Sequence, residues 1–272
     1  MPYGHRNTMR MEKTSMFRAL AGLAFALLLS TAQAQQAQSR LDEIIKRGIL
    51  RVGMTGDYLP FTYLDKETKA FRGFDVDMAQ SLGKALGVKV EFVPTSWPQM
   101  TRDFEADDFD IAMGGVSITF DRQKKGLFST PIMREGKTPI ARCADKGKFE
   151  TIAEIDKPGT RIIVNPGGTN ERFARVHVKT AEIRVFNDNT KIFDEIAKGD
   201  ADLMMTDASE TRYQQKLHPG VLCAVHPDKP FDFAEKAYWM QRDVALKAFV
   251  DQWLHIARED GSYAKIYAAW FE

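Results

Sequence analysis

The residues with the plainest chemical content stand in the run NPGGTNERFA, residues 165–174. Gly167 and Gly168 permit a tight turn, and Thr169 and Asn170 are residue types that cap a helix N-terminus. A helix opening there aims its unpaired N–H groups and the positive end of its dipole at an anion. Glu171 falls near the first helical position, where that anion would come close. The dipole also favours a carboxylate there. Glu171 therefore reads either as a helix stabiliser or as a carboxylate with a task in the site itself. Arg122, in SITFDR, offers a planar fork of donors that matches a carboxylate with two parallel bonds; beside Lys124 and Lys125 it also reads as a solvated basic residue. Ser117 and Thr119 are short polar residues at the same strand end, suited to a ligand or to capping the loop. Asp207 closes ADLMMTD and is either a ligand group or the N-cap of the next segment. Tyr58 and Trp97 are candidate walls for a flat ring, whereas Phe61 reads as core. Lys137 is either an electrostatic partner for a carboxylate or an exposed lysine.

Around these residues the chain alternates strands and helices, the pattern of α/β layers. Leu41, Ile44 and Ile45 form a helical stripe stopped by Gly48, and Ile49–Val52 begins a strand. FDVDMAQSLGKALGV is an amphipathic helix closed by Gly87, followed by the strand VKVEFV. DYLPFTY and DKETKAFRG read as loop and turn. A second run of the same alternation starts near residue 138: TPIARC, TRIIVN, EIRVFN and ADLMMTD are strands, with NERFARVHV, NTKIFDEIAKGD and SETRYQQKL as helices. VALKAFVDQWLHIARED is a long amphipathic helix with YAKIYAAWF behind it. No low-complexity linker divides the two runs, which suggests two lobes joined by short crossings with a ligand cleft between them.

The N-terminus stands apart. Arg6, Arg10, Lys13 and Arg18 precede the apolar run of residues 19–29, and Ala32-Gln33-Ala34 follows as an A-x-A cleavage pattern. Residues 1–34 are expected to be a signal peptide, because the apolar run is too short for a membrane anchor. Cleavage takes four of 38 basic and one of 37 acidic residues, leaving 34 against 36. Nothing in that balance favours nucleic acid or a membrane surface as partner. Export to a bacterial periplasm is expected. In such a compartment Cys143 and Cys223 read as a disulfide or, alternatively, as two buried thiols. The sequence holds no P-loop, no GxGxxG after a strand, no GxSxG and no metal-ligand spacing.

GILRVGMTGDYLPFTY, FRGFDVDMAQSLGKALG, FDIAMGGVSITFDRQKKGLFSTPI and GDADLMMTD, in that order, resemble the type II periplasmic amino-acid-binding proteins of ABC importers. The resemblance spans residues 40–272. It implies two Rossmann-like lobes with a ligand cleft between them, lobe 1 being residues 40–138 plus 231–272 and lobe 2 residues 139–230. It also implies that Arg122 clamps a ligand carboxylate, that Asp207 takes an α-amino group, and that an aromatic near Tyr58 covers the ligand. NPGGTNERFA, DADLMMTD and LHPGVLCAVHPDKPFDFAEKAY resemble, more narrowly, the exported cyclohexadienyl dehydratases. That resemblance implies a cofactor-free carbon–oxygen lyase converting prephenate to phenylpyruvate and arogenate to phenylalanine, with Glu171 as general acid. A plain binder delivering an amino acid to an ABC permease is the alternative, and a carboxylate at Glu171 speaks against it by repelling an anionic ligand.

Overall fold

The computed structural model describes residues 39–272, together with Met1, Tyr3 and Gly4. The expected signal peptide, those three residues apart, lies outside the described residues. The first helix, Arg40–Arg47, starts behind Ser39, whose hydroxyl accepts the Asp42 N–H, and ends where Gly48 turns left-handed. Gly87 closes Phe74–Leu86 and Gly199 closes Ile192–Lys198 in the same way, their N–H groups meeting carbonyls that the helix leaves unpaired.

Two five-stranded sheets organise the chain. The first runs, in spatial order, Lys89–Pro94, Ile49–Met54, Ile111–Ala112, Trp239–Met240 and Leu127–Phe128. Its first three strands are parallel, and Trp239–Met240 is antiparallel to both neighbours. The second runs Glu182–Val185, Arg161–Val164, Leu203–Asp207, Lys137–Arg142 and Leu222–Ala224. Here too the first three are parallel and the rest antiparallel. The inner strands are buried on both faces: Ile162, Val164, Leu203 and Met205 join one apolar cluster, while Ile163, Met204 and Ile140 join another. That alternation is the period-2 signature of a sheet covered by helices on each side. Helix Val244–Glu259 returns to the first sheet and adds Leu246, Val250, Trp253 and Leu254 to its core.

The chain passes between the sheets twice. It leaves Leu127–Phe128 through Met133–Glu135 to reach Lys137–Arg142, and leaves Leu222–Ala224 through Ala234–Lys236 to reach Trp239–Met240. These two passing segments pair antiparallel, with Glu135 opposite Ala234 and Met133 opposite Lys236. Next to the pair, Gly136 lies so near Asp232 that a Cβ there would sit 2.1 Å from its carbonyl oxygen.

Some expectations change. DYLPFTY and DKETKAFRG, read as loop and turn, contain a small sheet of Asp57–Tyr58, Thr62–Leu64 and Phe71–Arg72. Strands of two or three residues are too short to show a period in sequence. Cys143 and Cys223 are bridged, with Cα atoms 4.8 Å apart. Among the described residues no helix is long and apolar enough to cross a membrane.

Candidate functional site

The strand Leu203–Asp207 ends across a small space from Gly115 and Ser117, and its last residue organises a buried polar cluster. Asp207 occupies the N-cap position of helix Ala208–Leu217, yet its side chain makes no capping bond. It points instead at two ammonium groups. Lys137 Nζ donates to Asp207 Oδ1 at 2.7 Å and Lys236 Nζ to Oδ2 at 2.5 Å, while the Tyr58 hydroxyl also donates to Oδ2. Asp207, Lys137 and Lys236 are all buried. Burial opposes ionisation of Asp207, but the two lysines outweigh it and hold the carboxyl far below the usual range. Burial likewise lowers the Lys137 ammonium, with Asp207 partly restoring it. Glu135, raised by burial and then by Asp207, lies 3.7 Å from Lys236 Nζ.

This geometry changes two assignments. Asp207 was expected to receive a ligand's α-amino group, but its oxygens already hold the protein's own lysines and Tyr58. Lys137 was read as a carboxylate partner or an exposed lysine; it is buried, and its three N–H bonds go to Asp207, Thr169 Oγ1 at 2.9 Å and Asn170 Oδ1 at 2.5 Å. Lys236, which sequence reasoning passed over, donates to Ser117 Oγ at 3.0 Å and lies over the Tyr58 ring, 5.2 Å from its centroid.

The opening turn also differs in register. The N-cap of helix Thr169–His177 is Gly168, in extended conformation and without a side-chain cap bond. Thr169 and Asn170 are therefore the first two helical residues, with their side chains turned to Lys137, and Glu171 is third rather than near the first position. Gly167, at φ 74°, makes the turn, and a Cβ there would lie 2.8 Å from the Pro98 Cα. Glu171 reaches back to accept the Gly167 N–H at 2.7 Å and the Arg175 Nε–H at 2.8 Å. The Gly167 bond, and then Arg175, hold its carboxyl below the usual range against partial desolvation.

Tyr58, Trp97, Ser117, Thr169, Asn170, Asp207 and Lys236 converge on one small space, together with Asn165 and Asn189. Its volume of ≈ 10 Å³ is about that of one water. Thr169 opens from it into two larger cavities. One, of ≈ 120 Å³, is bordered by Trp97, Thr119, Arg122, Gly168 and Arg172. The other, of ≈ 300 Å³, is bordered by Ser117, Lys137, Arg172, Phe173, His177 and Phe233. Thr119 caps the short helix Phe120–Gln123, accepting the Arg122 N–H at 3.3 Å. Arg122 donates to the Ser117 carbonyl at 2.9 Å and has no carboxylate partner among the described residues. Burial, then repulsion from Arg172, lowers its guanidinium to about 10. Trp97 sits in the turn before helix Met100–Glu105, its ring edge-on to Tyr58 and its Nε1–H on Asp57 Oδ1 at 3.1 Å. Glu171 does not border these three cavities. The structure thus gathers the other candidates around Thr169 and leaves Glu171 one step behind the wall, on the same helical turn.

Arg122, without a carboxylate partner among the described residues, a helix N-terminus and aromatic walls lie together between the two sheets, an arrangement whose chemistry suits an anion. The chain belongs to the bacterial extracellular solute-binding proteins, family 3, which it matches over residues 50–272. Its fold is that of the type II periplasmic binding proteins. It is 54% identical over 257 residues to the cyclohexadienyl dehydratase of Pseudomonas aeruginosa, covering 94% of each chain. A crystal structure of an ancestral amino-acid-binding protein, described as a precursor of cyclohexadienyl dehydratase, is similar with a TM-score of 0.78 and 38% identity, over 86% of this chain and all of that one. An ancestral cyclohexadienyl dehydratase is similar with a TM-score of 0.55 and 53% identity, over 86% of this chain and 97% of that one.

Proposed function

We propose that this chain is a cyclohexadienyl dehydratase, a carbon–oxygen lyase that acts on prephenate and arogenate after export to the periplasm. The observation that carries the reading is its 54% identity to the Pseudomonas enzyme along nearly the full length of both chains. In the reaction, the C4–OH bond of prephenate breaks with protonation of the leaving oxygen to give water. The electron pair of the breaking C1–carboxylate bond enters the ring as CO₂ departs, and the ring becomes aromatic. Hydroxide leaves poorly at neutral pH, so a positioned acid accelerates the step by roughly 10²–10⁴-fold.

Glu171 is the acid in this reading. It lies on the first turn of a helix whose Thr169 borders all three cavities, and in this reading its side chain leaves Gly167 and Arg175 to meet the substrate. Arg122, free of any internal carboxylate, anchors the substrate's side-chain carboxylate by a charge-assisted pair. Tyr58 and Trp97 flank the ring, and the small centre of ≈ 10 Å³ must widen to admit it. The lobes that part are residues 40–138 plus 231–272, and residues 139–230.

An amino-acid-binding role for an ABC importer is the second reading, favoured by the family and by the ancestral binding protein. Incubating the mature protein with prephenate and measuring phenylpyruvate separates the two. Turnover that drops at least about 10²-fold in Glu171→Gln, with substrate affinity retained, supports the dehydratase. An inert protein that binds an amino acid tightly in calorimetry supports the carrier.

A further inference from the structure

Beneath the Asp207 cluster lies a carboxyl that the proposed mechanism does not use. Glu210 sits on the first turn of helix Ala208–Leu217 and is buried to 1% exposure, and among the described residues it forms no salt bridge. Burying an ionisable group without a partner is costly, and a solvated face would have been the ordinary place for it. We propose that Glu210 is a positioning residue for the reaction, acting on the site through Thr206 and Asn170. The inference rests on the dehydratase reading.

The connection is a continuous line of hydrogen bonds. Glu210 Oε2 accepts the Thr206 hydroxyl at 2.5 Å, and Thr206 Oγ1 in turn accepts from Asn170 Nδ2 at 3.0 Å. Asn170 Nδ2 also donates to Asn165 Oδ1 at 3.1 Å. With its NH₂ end facing two oxygens, the Asn170 amide has one orientation, and its carbonyl must face Lys137 Nζ. Lys137 then carries the line to Asp207 and to Thr169, where the cavities meet. A hydroxyl has a single hydrogen. As long as Glu210 takes it, Thr206 presents only lone pairs to Asn170. Apolar substitution of Glu210 frees that hydrogen to compete with the Asn170 amide.

Asp207 and Lys137 from the second sheet, and Asp57 and Tyr58 from the small sheet, act electrostatically on Glu210. Burial first, then the two aspartates, raise its carboxyl to about 8, opposed by Thr206 and Lys137. Loss of its proton above that pH adds a negative charge to the line and strengthens the acceptor to which Thr206 donates.

The test uses the mature full-length protein and prephenate. Glu210→Leu is expected to lower kcat at least about tenfold with KM changed by less than about threefold, the pattern of a group that acts on transition-state geometry. Glu210→Gln, which still offers Thr206 an acceptor, should recover most of the loss. Asn170→Ala should cost much less in the Glu210→Leu background than in wild type, because both break one line. If Glu210→Leu does not fold, Thr206→Val cuts the same line. A readout independent of turnover is the side-chain amide signal of Asn170, assigned by its loss in Asn170→Ala: it should shift with a midpoint of about 8 in wild type and stay fixed in Glu210→Gln. Wild-type kcat in Glu210→Leu, additive costs in the double variant, or an amide signal indifferent to pH would each overturn the proposal. Absence of turnover in wild type sinks the dehydratase reading instead, while the amide titration still decides whether Glu210 governs Asn170.

Discussion

At the scale of single residues, Glu171 carries the sharpest tension. The Gly167 N–H and Arg175 stabilise its carboxylate, so the free protein holds it ionised more firmly than an ordinary glutamate. A general acid must carry a proton, and its activity is lost as pH rises through its pKa. In the proposed reaction prephenate would bring two negative charges and exclude water, both of which raise that pKa. The expected outcome is a kcat profile that falls at higher pH than the kcat/KM profile, since kcat reports the complex and kcat/KM the free enzyme. Coincident limbs in the two profiles would refute this. Glu171 stood out in the sequence because its neighbours announce a helix start. Lys236 was not: in AEKAYW a lysine among strand-forming residues carries no local mark of burial. Its partners, Asp207 and Tyr58, are distant in sequence, and only the fold brings them to its ammonium.

Among elements, the turn into helix Thr169–His177 sets how near its N-terminus stands to Trp97 and Arg122. Gly167 combines a left-handed backbone with close contact to Pro98. Gly167→Ala is therefore expected to cost about 1–3 kcal/mol of stability and to raise KM by displacing Thr169, both read from denaturant unfolding and steady-state kinetics. An unchanged unfolding midpoint would show that the turn yields without cost. The glycine pair was readable as a turn, but the helix register was not. Thr169 and Asn170 have good capping side chains, and only the tertiary demand of Lys137 for oxygen acceptors diverts them from that use. The longer helices were readable throughout, because an apolar stripe and a terminal glycine are local signals: Phe74–Leu86 and Arg40–Arg47 end where Gly87 and Gly48 stop them.

For the molecule as a whole, two features set stability. The Cys143–Cys223 bridge closes a loop with a sequence separation of 80. Its reduction, or Cys143→Ser with Cys223→Ser, should cost about 2–4 kcal/mol by releasing the unfolded chain; an unshifted melting temperature under reductant would contradict this. Glu210 contributes a pH dependence. Its folded-state value of about 8 lies above that of an unfolded glutamate. Between the ordinary carboxyl range and about pH 8 the folded state holds a proton that the unfolded state has released, so stability declines as pH rises through that window. Glu210→Gln should flatten the decline in denaturant titrations at several pH values, and a slope equal to wild type would discount the group. The paired passing segments, Met133–Glu135 and Ala234–Lys236, carry a mechanical consequence. Glu135 and Lys236 belong to the ribbon itself, and Lys137 follows it within two residues. In the proposed opening of the cleft, the crossing that joins the halves is thus made of the same residues that hold Asp207 ionised. On that reading an anion settling beside Lys236 would bear on the crossing as well as on the cleft, making grip and closure one displacement.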